Sequence, residues 1–190
     1  MLEETSNDFI NLAMTSVHFL TRSILDDLET PVLSLLYGVE WEAGQLMAGQ
    51  VISATLEDYF QDVRQWLPEY FYNKFVREML NTIVLSYVMT IRRQNSEGRP
   101  PSQFGNQRDA AKQIRADKEA IAAFFSTQID ILMRGGLRGD RETVISQEML
   151  LMDWLERLVI CPSQVLSYCR SADITLASAK YRRTNASSKI

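Results

Sequence analysis

The sequence predicts an all-α fold, an elongated stacked helical bundle, on three observations. Apolar residues recur at steps of three and four over long stretches, which is the spacing of one face of an α-helix. No stretch shows a sustained alternation of apolar and polar residues, which a half-buried strand would require. The clearest cluster of proline and glycine lies between two of the long periodic stretches and not within them.

Length and charge limit the kind of protein this can be. A chain of 190 residues suits one domain, and a domain of this size buries about 70% of the surface that its unfolded chain exposes. Residues 1 to 60 contain one basic residue against ten acidic ones, whereas the remainder contains nineteen basic and fourteen acidic residues. An acidic N-terminal third repels phosphate, so we expect no nucleic-acid partner there.

The first part of the chain predicts two helices. Ser6 is placed to cap a helix over residues 7 to 28. Thr30 with Pro31 predicts the start of a second helix that Gly38 ends, and Trp41 after it is expected to anchor the packing. The inner face of the first helix comprises Ile10, Ala13, Val17, Leu20, Ile24 and Leu28.

Residues 44 to 94 predict two long amphipathic helices that meet at Pro68, and the rest of the chain is organised around them. The inner face of the first comprises Ile52, Leu56, Tyr59, Phe60, Val63, Trp66 and Leu67. The inner face of the second comprises Tyr72, Phe75, Val76, Met79, Leu80, Ile83, Val84, Tyr87, Val88 and Ile91.

A linker over residues 95–106, rich in serine, glycine and proline, predicts a division of the bundle into two sub-layers, 1–94 and 107–170. The second sub-layer would hold helices over residues 107–134 and 143–160 and a short last helix over 163–168. Their inner faces comprise Ile114, Ile121, Phe124, Phe125 and Leu132, and then Ile145, Met149, Met152, Leu155 and Val159. Asp117 falls within the apolar face, and two interpretations are open: it pairs with a basic residue of a neighbouring helix, or the helix turns enough to leave it solvated.

Residues 1–178 are thus predicted to form the bundle, and residues 179–190 a basic disordered tail. Within the tail, Lys180, Arg182, Arg183 and Lys189 are candidates for contact with acidic lipid headgroups. Cys161 and Cys169 fit no zinc spacing and are expected to be reduced thiols. Neither a signal peptide nor a membrane-spanning helix is expected.

Several short runs resemble one protein family. They are Thr55–Phe60 (TLEDYF) with Asp62 two places on, and Ile83–Met89 (IVLSYVM) with the basic pair Arg92 and Arg93 after it. The next helix is similar through Ala110, Ala111, Ile114, Arg115, Asp117, Phe124 and Phe125. In order and spacing these runs resemble the C-terminal region of the Sec-six subunit of the exocyst.

The resemblance implies a helical rod that serves as a non-enzymatic scaffold, tethering secretory vesicles to the plasma membrane before SNARE-mediated fusion. It implies other exocyst subunits and SNARE proteins as partners, and a cytoplasmic location at sites of exocytosis. It implies no cofactor and no small-molecule substrate. Peripheral contact with anionic membrane is expected from the basic tail and not from the resemblance.

Two alternatives remain open from the residues alone. One is a stand-alone helical bundle that binds proteins or lipid surfaces. The other is a small helical enzyme, for which the carboxylate pairs Asp26 with Asp27 and Glu57 with Asp58 are the candidates. Neighbouring residues on a helix point about 100° apart, so neither pair converges on one substrate atom. His18 is expected to be a boundary residue beside the first helix's apolar face.

Overall fold

A computed structural model describes residues 2–96, 104–134 and 141–160, and within these ranges the fold is all-α, as predicted. Six α-helices and one short 3₁₀ turn, Leu33–Leu35, make up this part of the chain. The helices are α1 (Leu2–Glu29), α2 (Val39–Glu42), α3 (Ala48–Trp66), α4 (Glu69–Ser96), α5 (Gln107–Arg134) and α6 (Arg141–Ile160).

The start of the chain differs from the prediction at three points. Ile10, predicted for the inner face of the first helix, is 42% exposed, because the bundle buries residues of that face only from Val17 onward. Helix α1 begins at Leu2, so position 6 lies inside the helix and is not its cap. The second helix expected from Thr30 is only the 3₁₀ turn, after which Gly38 is the N-cap of the four-residue α2. Local capping signals were present in both places, but the apolar run Val32, Leu33 and Leu36 buries itself in a compact turn instead of a helix.

Helices α3 and α4 form the predicted pair around Pro68. Leu67 is the C-cap of α3 and has extended backbone angles, as expected for a residue before proline. The Tyr72 amide donates a hydrogen bond to the Pro68 carbonyl in the first turn of α4. Four of the seven residues predicted for the inner face of α3 are buried, namely Ile52, Leu56, Phe60 and Val63. Nine of the ten predicted for α4 are buried, and the tenth, Val88, is half-buried.

One residue of that predicted face is misplaced. Trp66 is 82% exposed, because it lies in the last turn of α3 on the same edge of the apolar stripe as the half-buried Tyr59, seven residues earlier. Tyr59 is half-buried, and its hydroxyl reaches Asp27 of α1 at 2.5 Å instead of entering the core.

Helix α5 is the centre of the packing. It packs against α6 along much of its length, and against α3 and α4 on its other sides, whereas α1 packs mainly on α4. All the inner residues predicted for α5 and α6 are buried, and they join one continuous core with residues of α1, α3 and α4. Ion pairs from Arg115 to Glu156 and from Lys118 to Asp153 join the outer edges of α5 and α6 and show that the two helices are antiparallel.

Some predictions concern residues outside the described ranges. These are most of the linker, the short helix at 163–168, both cysteines and the basic tail. The division into sub-layers 1–94 and 107–170 stays a prediction.

Candidate functional site

The carboxylate pairs weighed as catalytic groups lie on exposed helix surfaces. Asp26 and Asp27 are exposed on α1, and Glu57 and Asp58 are exposed on α3. Within residues 2–96, 104–134 and 141–160, no three or more His, Cys, Asp or Glu side chains are grouped as a metal site would need. In the same ranges, no helix is both long and apolar enough to span a membrane.

The single histidine joins two helices. His18 Nδ1 of α1 lies 2.5 Å from Glu78 Oε1 of α4, and the histidine side chain is 64% exposed. A contact this open to water contributes little to stability. The pair marks the outer edge of the contact between α1 and α4.

The most unusual polar group of the described chain is the Asp117 carboxylate in the middle of α5, which is only 2% exposed. It accepts a hydrogen bond from Trp41 Nε1 at 2.8 Å through one oxygen, and one from the Gly49 amide at 2.8 Å through the other. Both open interpretations of Asp117 were wrong, because its partners are neutral donors and not a basic side chain or water.

Gly49 can reach this carboxylate because it has no side chain. A Cβ atom built at Gly49 would lie 2.6 Å from both the Cα atom and the carbonyl oxygen of Asp117. Those are backbone atoms and cannot turn aside as a flexible side chain could. The first turn of α3 therefore rests directly on the backbone of α5.

Aromatic side chains close the site on its other sides. Tyr37 packs edge-on against Trp41 with ring centroids 4.9 Å apart, and its hydroxyl donates a hydrogen bond to the Tyr87 carbonyl at 3.1 Å. The Tyr87 hydroxyl is buried too and interacts with the Asp117 carboxylate, although outside the geometry of an ordinary hydrogen bond. Tyr37 has a φ of 63°, a left-handed conformation that costs a non-glycine residue energy and is held here by this packing.

We call the five residues Tyr37, Trp41, Gly49, Tyr87 and Asp117 the Asp117 node. They come from the turn before α2, from α2 itself, and from α3, α4 and α5. Two further contacts support the node from its edge: Gln113 Nε2 donates to the Leu46 carbonyl at 3.2 Å, and the Asn106 amide donates to Glu42 at 2.6 Å. The node thus joins the irregular segment after α1 to three long helices.

The electrostatics of the node follow from burial. Burial raises the pKa of Asp117 above its ordinary value, and the hydrogen bonds from Gly49 and Trp41 oppose that rise in part. Burial likewise raises the pKa of Tyr37 and Tyr87 well above the ordinary value of a phenol, with the Asp117 charge adding to the effect. With donors fixed on both carboxylate oxygens and no opening to substrate, the geometry is that of a structural lock and not of a reacting group.

Sequence reasoning missed the node, although it noticed three of its members, Trp41, Tyr87 and Asp117. Trp41 was expected to be a packing anchor, and it is fully buried. Two features of the sequence pointed to the contact between α3 and α5. One was the carboxylate of Asp117 on an apolar face, and the other was Gly49 in the first turn of α3, where glycine is a poor helix former. Neither observation alone indicates which donor pairs with which acceptor.

A groove lies between α3 and α5 on the described surface. It has a volume of about 510 Å³, is open to solvent, and is lined partly by Glu57, Arg64 and Gln128. A smaller groove of about 250 Å³ follows it towards the start of α4.

The tail residues proposed from the sequence for lipid contact, Lys180, Arg182, Arg183 and Lys189, lie outside the described residues.

Comparison with known proteins gives one family. No solved structure matches the chain. The family model of the exocyst complex component Sec6 matches residues 1–168. Because this match spans well over half of the 190 residues, the chain belongs to the Sec6 family of exocyst complex components.

Proposed function

We propose that the chain is a non-enzymatic scaffold within the exocyst and tethers secretory vesicles to the plasma membrane before SNARE-mediated fusion. Other exocyst subunits are its primary partners, and SNARE proteins bind it at the membrane. It acts in the cytoplasm, at sites of exocytosis. The family match over residues 1–168 is the observation that carries the proposal.

The architecture supports a scaffold role. Helices α1, α4 and α5 have 28 residues each, so each is about 42 Å long at 1.5 Å per residue. Their inner faces share one core, and the Asp117 node joins the segments that lie between them. Long helices held in this way offer extended side faces to partner helices.

Affinity purification of the tagged chain from its own cells tests the proposal. We expect the other large tethering subunits to co-purify, identified by mass spectrometry. Asp117→Ala should reduce their recovery, because it opens the packing between α3 and α5. The exposed Glu119→Ala variant on the same helix is the matched control and should recover them fully. If the chain is recovered without other subunits, the proposal that it acts as a scaffold within the exocyst is overturned.

A separate experiment addresses the SNARE part of the proposal. Purified SNARE proteins are passed over the immobilised chain, with an unrelated helical bundle as the control surface. We expect the SNARE proteins to be retained on the surface that carries the chain and not on the control surface. Equal retention on both surfaces would remove SNARE binding from the proposal and leave the assembly with other subunits standing.

The basic tail is proposed as a second contact, with anionic membrane. Lys180, Arg182, Arg183 and Lys189 lie within ten residues that contain no acid, and each basic residue near such a surface contributes about 1 kcal/mol. Flotation with liposomes containing phosphatidylserine should therefore be reduced when all four are changed to serine. Undiminished flotation of that variant would overturn the tail contact.

A further inference from the structure

Helix α1 has two apolar faces, and the bundle covers only one of them. The covered face contributes Val17, Ile24 and Leu28 to the core against α4. From residue 7 to residue 16 no side chain of α1 is buried. The first half of the helix therefore lies at the margin of the bundle, with its surface open to a partner.

The second face is marked by three large residues. Phe9, Leu12 and Phe19 are 67%, 66% and 73% exposed, and with Ser16 they follow the three- and four-residue steps of a single helix face. Together they expose on the order of 400 Å² of apolar surface, if an aromatic side chain presents about 200 Å². A contiguous patch of this size is commonly a site of interaction. We call this set the Phe9–Phe19 face.

Charge distinguishes the partners that could cover this face. Helix α1 contains six acidic residues and one basic residue, Arg22. Two of the acids, Asp8 and Asp26, are exposed and lie on the same line of the helix as Leu12 and Phe19, at spacings of four and seven residues. The exposed Arg22 lies between Phe19 and Asp26 and leaves a net charge of -1 beside the face. An anionic lipid surface or an acidic helix would be repelled by these carboxylates, whereas basic side chains would be attracted.

We propose that the Phe9–Phe19 face is a docking surface for an amphipathic helix of another protein that carries basic side chains beside its apolar stripe. The apolar residues of that helix, spaced three, four and seven apart, pack against Phe9, Leu12 and Phe19. Its Lys or Arg side chains lie opposite Asp8 and Asp26. The inference goes beyond the tethering function, because it is argued from α1 alone and holds whichever assembly the chain joins.

Two synthetic helical peptides test the chemistry of the surface. Both peptides have the same stripe of leucine residues, but one carries lysine beside the stripe and the other carries glutamate. Binding of each labelled peptide to the full chain is measured by fluorescence anisotropy. We expect the lysine peptide to bind about tenfold more tightly or better, with an affinity that falls as salt is added. Equal affinities, or no binding of either peptide, would overturn the proposal.

Variants locate the binding on α1. Phe9→Ser with Phe19→Ser should weaken the lysine peptide about tenfold or more while the melting temperature stays unchanged, since both side chains are exposed. Val39→Ser with Met47→Ser removes exposed apolar residues elsewhere and is the matched control. Loss of affinity in the control pair, or in neither pair, would place the binding somewhere other than this face.

A photoreactive amino acid at position 16, in the middle of the face, identifies the natural occupant. In complexes purified from the chain's own cells, the crosslinked peptide should come from another protein and should be amphipathic with a net positive charge. Crosslinks to an acidic segment or to this chain's own tail would contradict the proposal. The peptide experiments do not require the exocyst, so their outcome and that of the co-purification experiment are independent.

Discussion

Gly49 and Asp117 lie in direct contact through backbone and side chain at once. The Gly49 amide donates to the Asp117 carboxylate at 2.8 Å, while the position of its missing Cβ is 2.6 Å from the Asp117 Cα atom. The close approach and the hydrogen bond therefore depend on each other. The absence of one methyl group at position 49 lets α3 and α5 share a buried carboxylate.

Gly49→Ala should destabilise the fold. The added methyl group meets backbone atoms, so the helices must separate, at a cost of about 2 kcal/mol that exceeds the gain of about 1 kcal/mol in helix propensity. The net loss should appear as a lower midpoint in urea unfolding. Gly105→Ala is the control, since its new atom would meet only the Glu42 side chain at 3.4 Å. Equal midpoints for the two variants would contradict the close contact.

Asp117→Ala should cost about 3 kcal/mol of stability, because it leaves the buried donors of Trp41 and Gly49 without an acceptor. Asp117→Asn keeps one acceptor oxygen and should cost less than the alanine change. Both values can be read from urea unfolding monitored by circular dichroism. An alanine variant as stable as the wild type would mean that the two hydrogen bonds contribute nothing net.

Stability should also depend on pH through Asp117. Burial raises the pKa of this carboxyl in the folded chain, so the folded state binds the proton more tightly than the unfolded state. The stabilising contribution is then complete below the unfolded pKa of about 3.9 and is lost as the pH rises through the folded pKa. Relative to Asp117→Asn, the wild type should lose unfolding free energy as the pH increases from about 4. A difference that stays constant or grows would contradict the raised pKa.

Two tyrosines on predicted inner faces should respond differently to truncation. Tyr87 is fully buried, so Tyr87→Ala should cost about 4 kcal/mol through the cavity it leaves. Tyr59 is half-buried and bonds to Asp27 at the surface, so Tyr59→Ala should cost about 1 kcal/mol. Thermal melts of both variants make the comparison. A larger effect at Tyr59 would mean that α3 is rotated from its position here.

The long helices could be predicted because their periodic stripes are governed by burial, which dominates folding. Helix α5 begins and ends at the expected residues, and the apolar stripe of α6 is buried throughout. The segment from Thr30 to Met47 could not be predicted so well, since short turns depend on what they pack against. The second helix expected there was wrong because Val32, Leu33 and Leu36 reach the core without one.

The Asp117 node could not be predicted from the sequence for a related reason. A periodic pattern shows which face of α5 is apolar, and it placed Asp117 on that face, but it contains no information on the donors that arrive from 68 and 76 residues away. The open Phe9–Phe19 face was missed because the stronger stripe of α1 accounts for its helical period. Periodicity and composition indicate the helices but not the function. The runs around Tyr59 and Tyr87 indicate the exocyst through their resemblance to the family.

The tryptophans give the most direct check on the packing. Trp41 is fully buried with its Nε1 on Asp117, whereas Trp66 is 82% exposed at the end of α3. Trp41→Phe should lose about 2 kcal/mol, because its hydrogen bond is to an ionisable carboxyl group. Trp66→Phe should leave the melting temperature unchanged and remove the component of fluorescence that acrylamide quenches most easily. If Trp66→Phe instead destabilised the chain as much as Trp41→Phe, the last turn of α3 would lie in the core, as the periodic pattern alone had predicted.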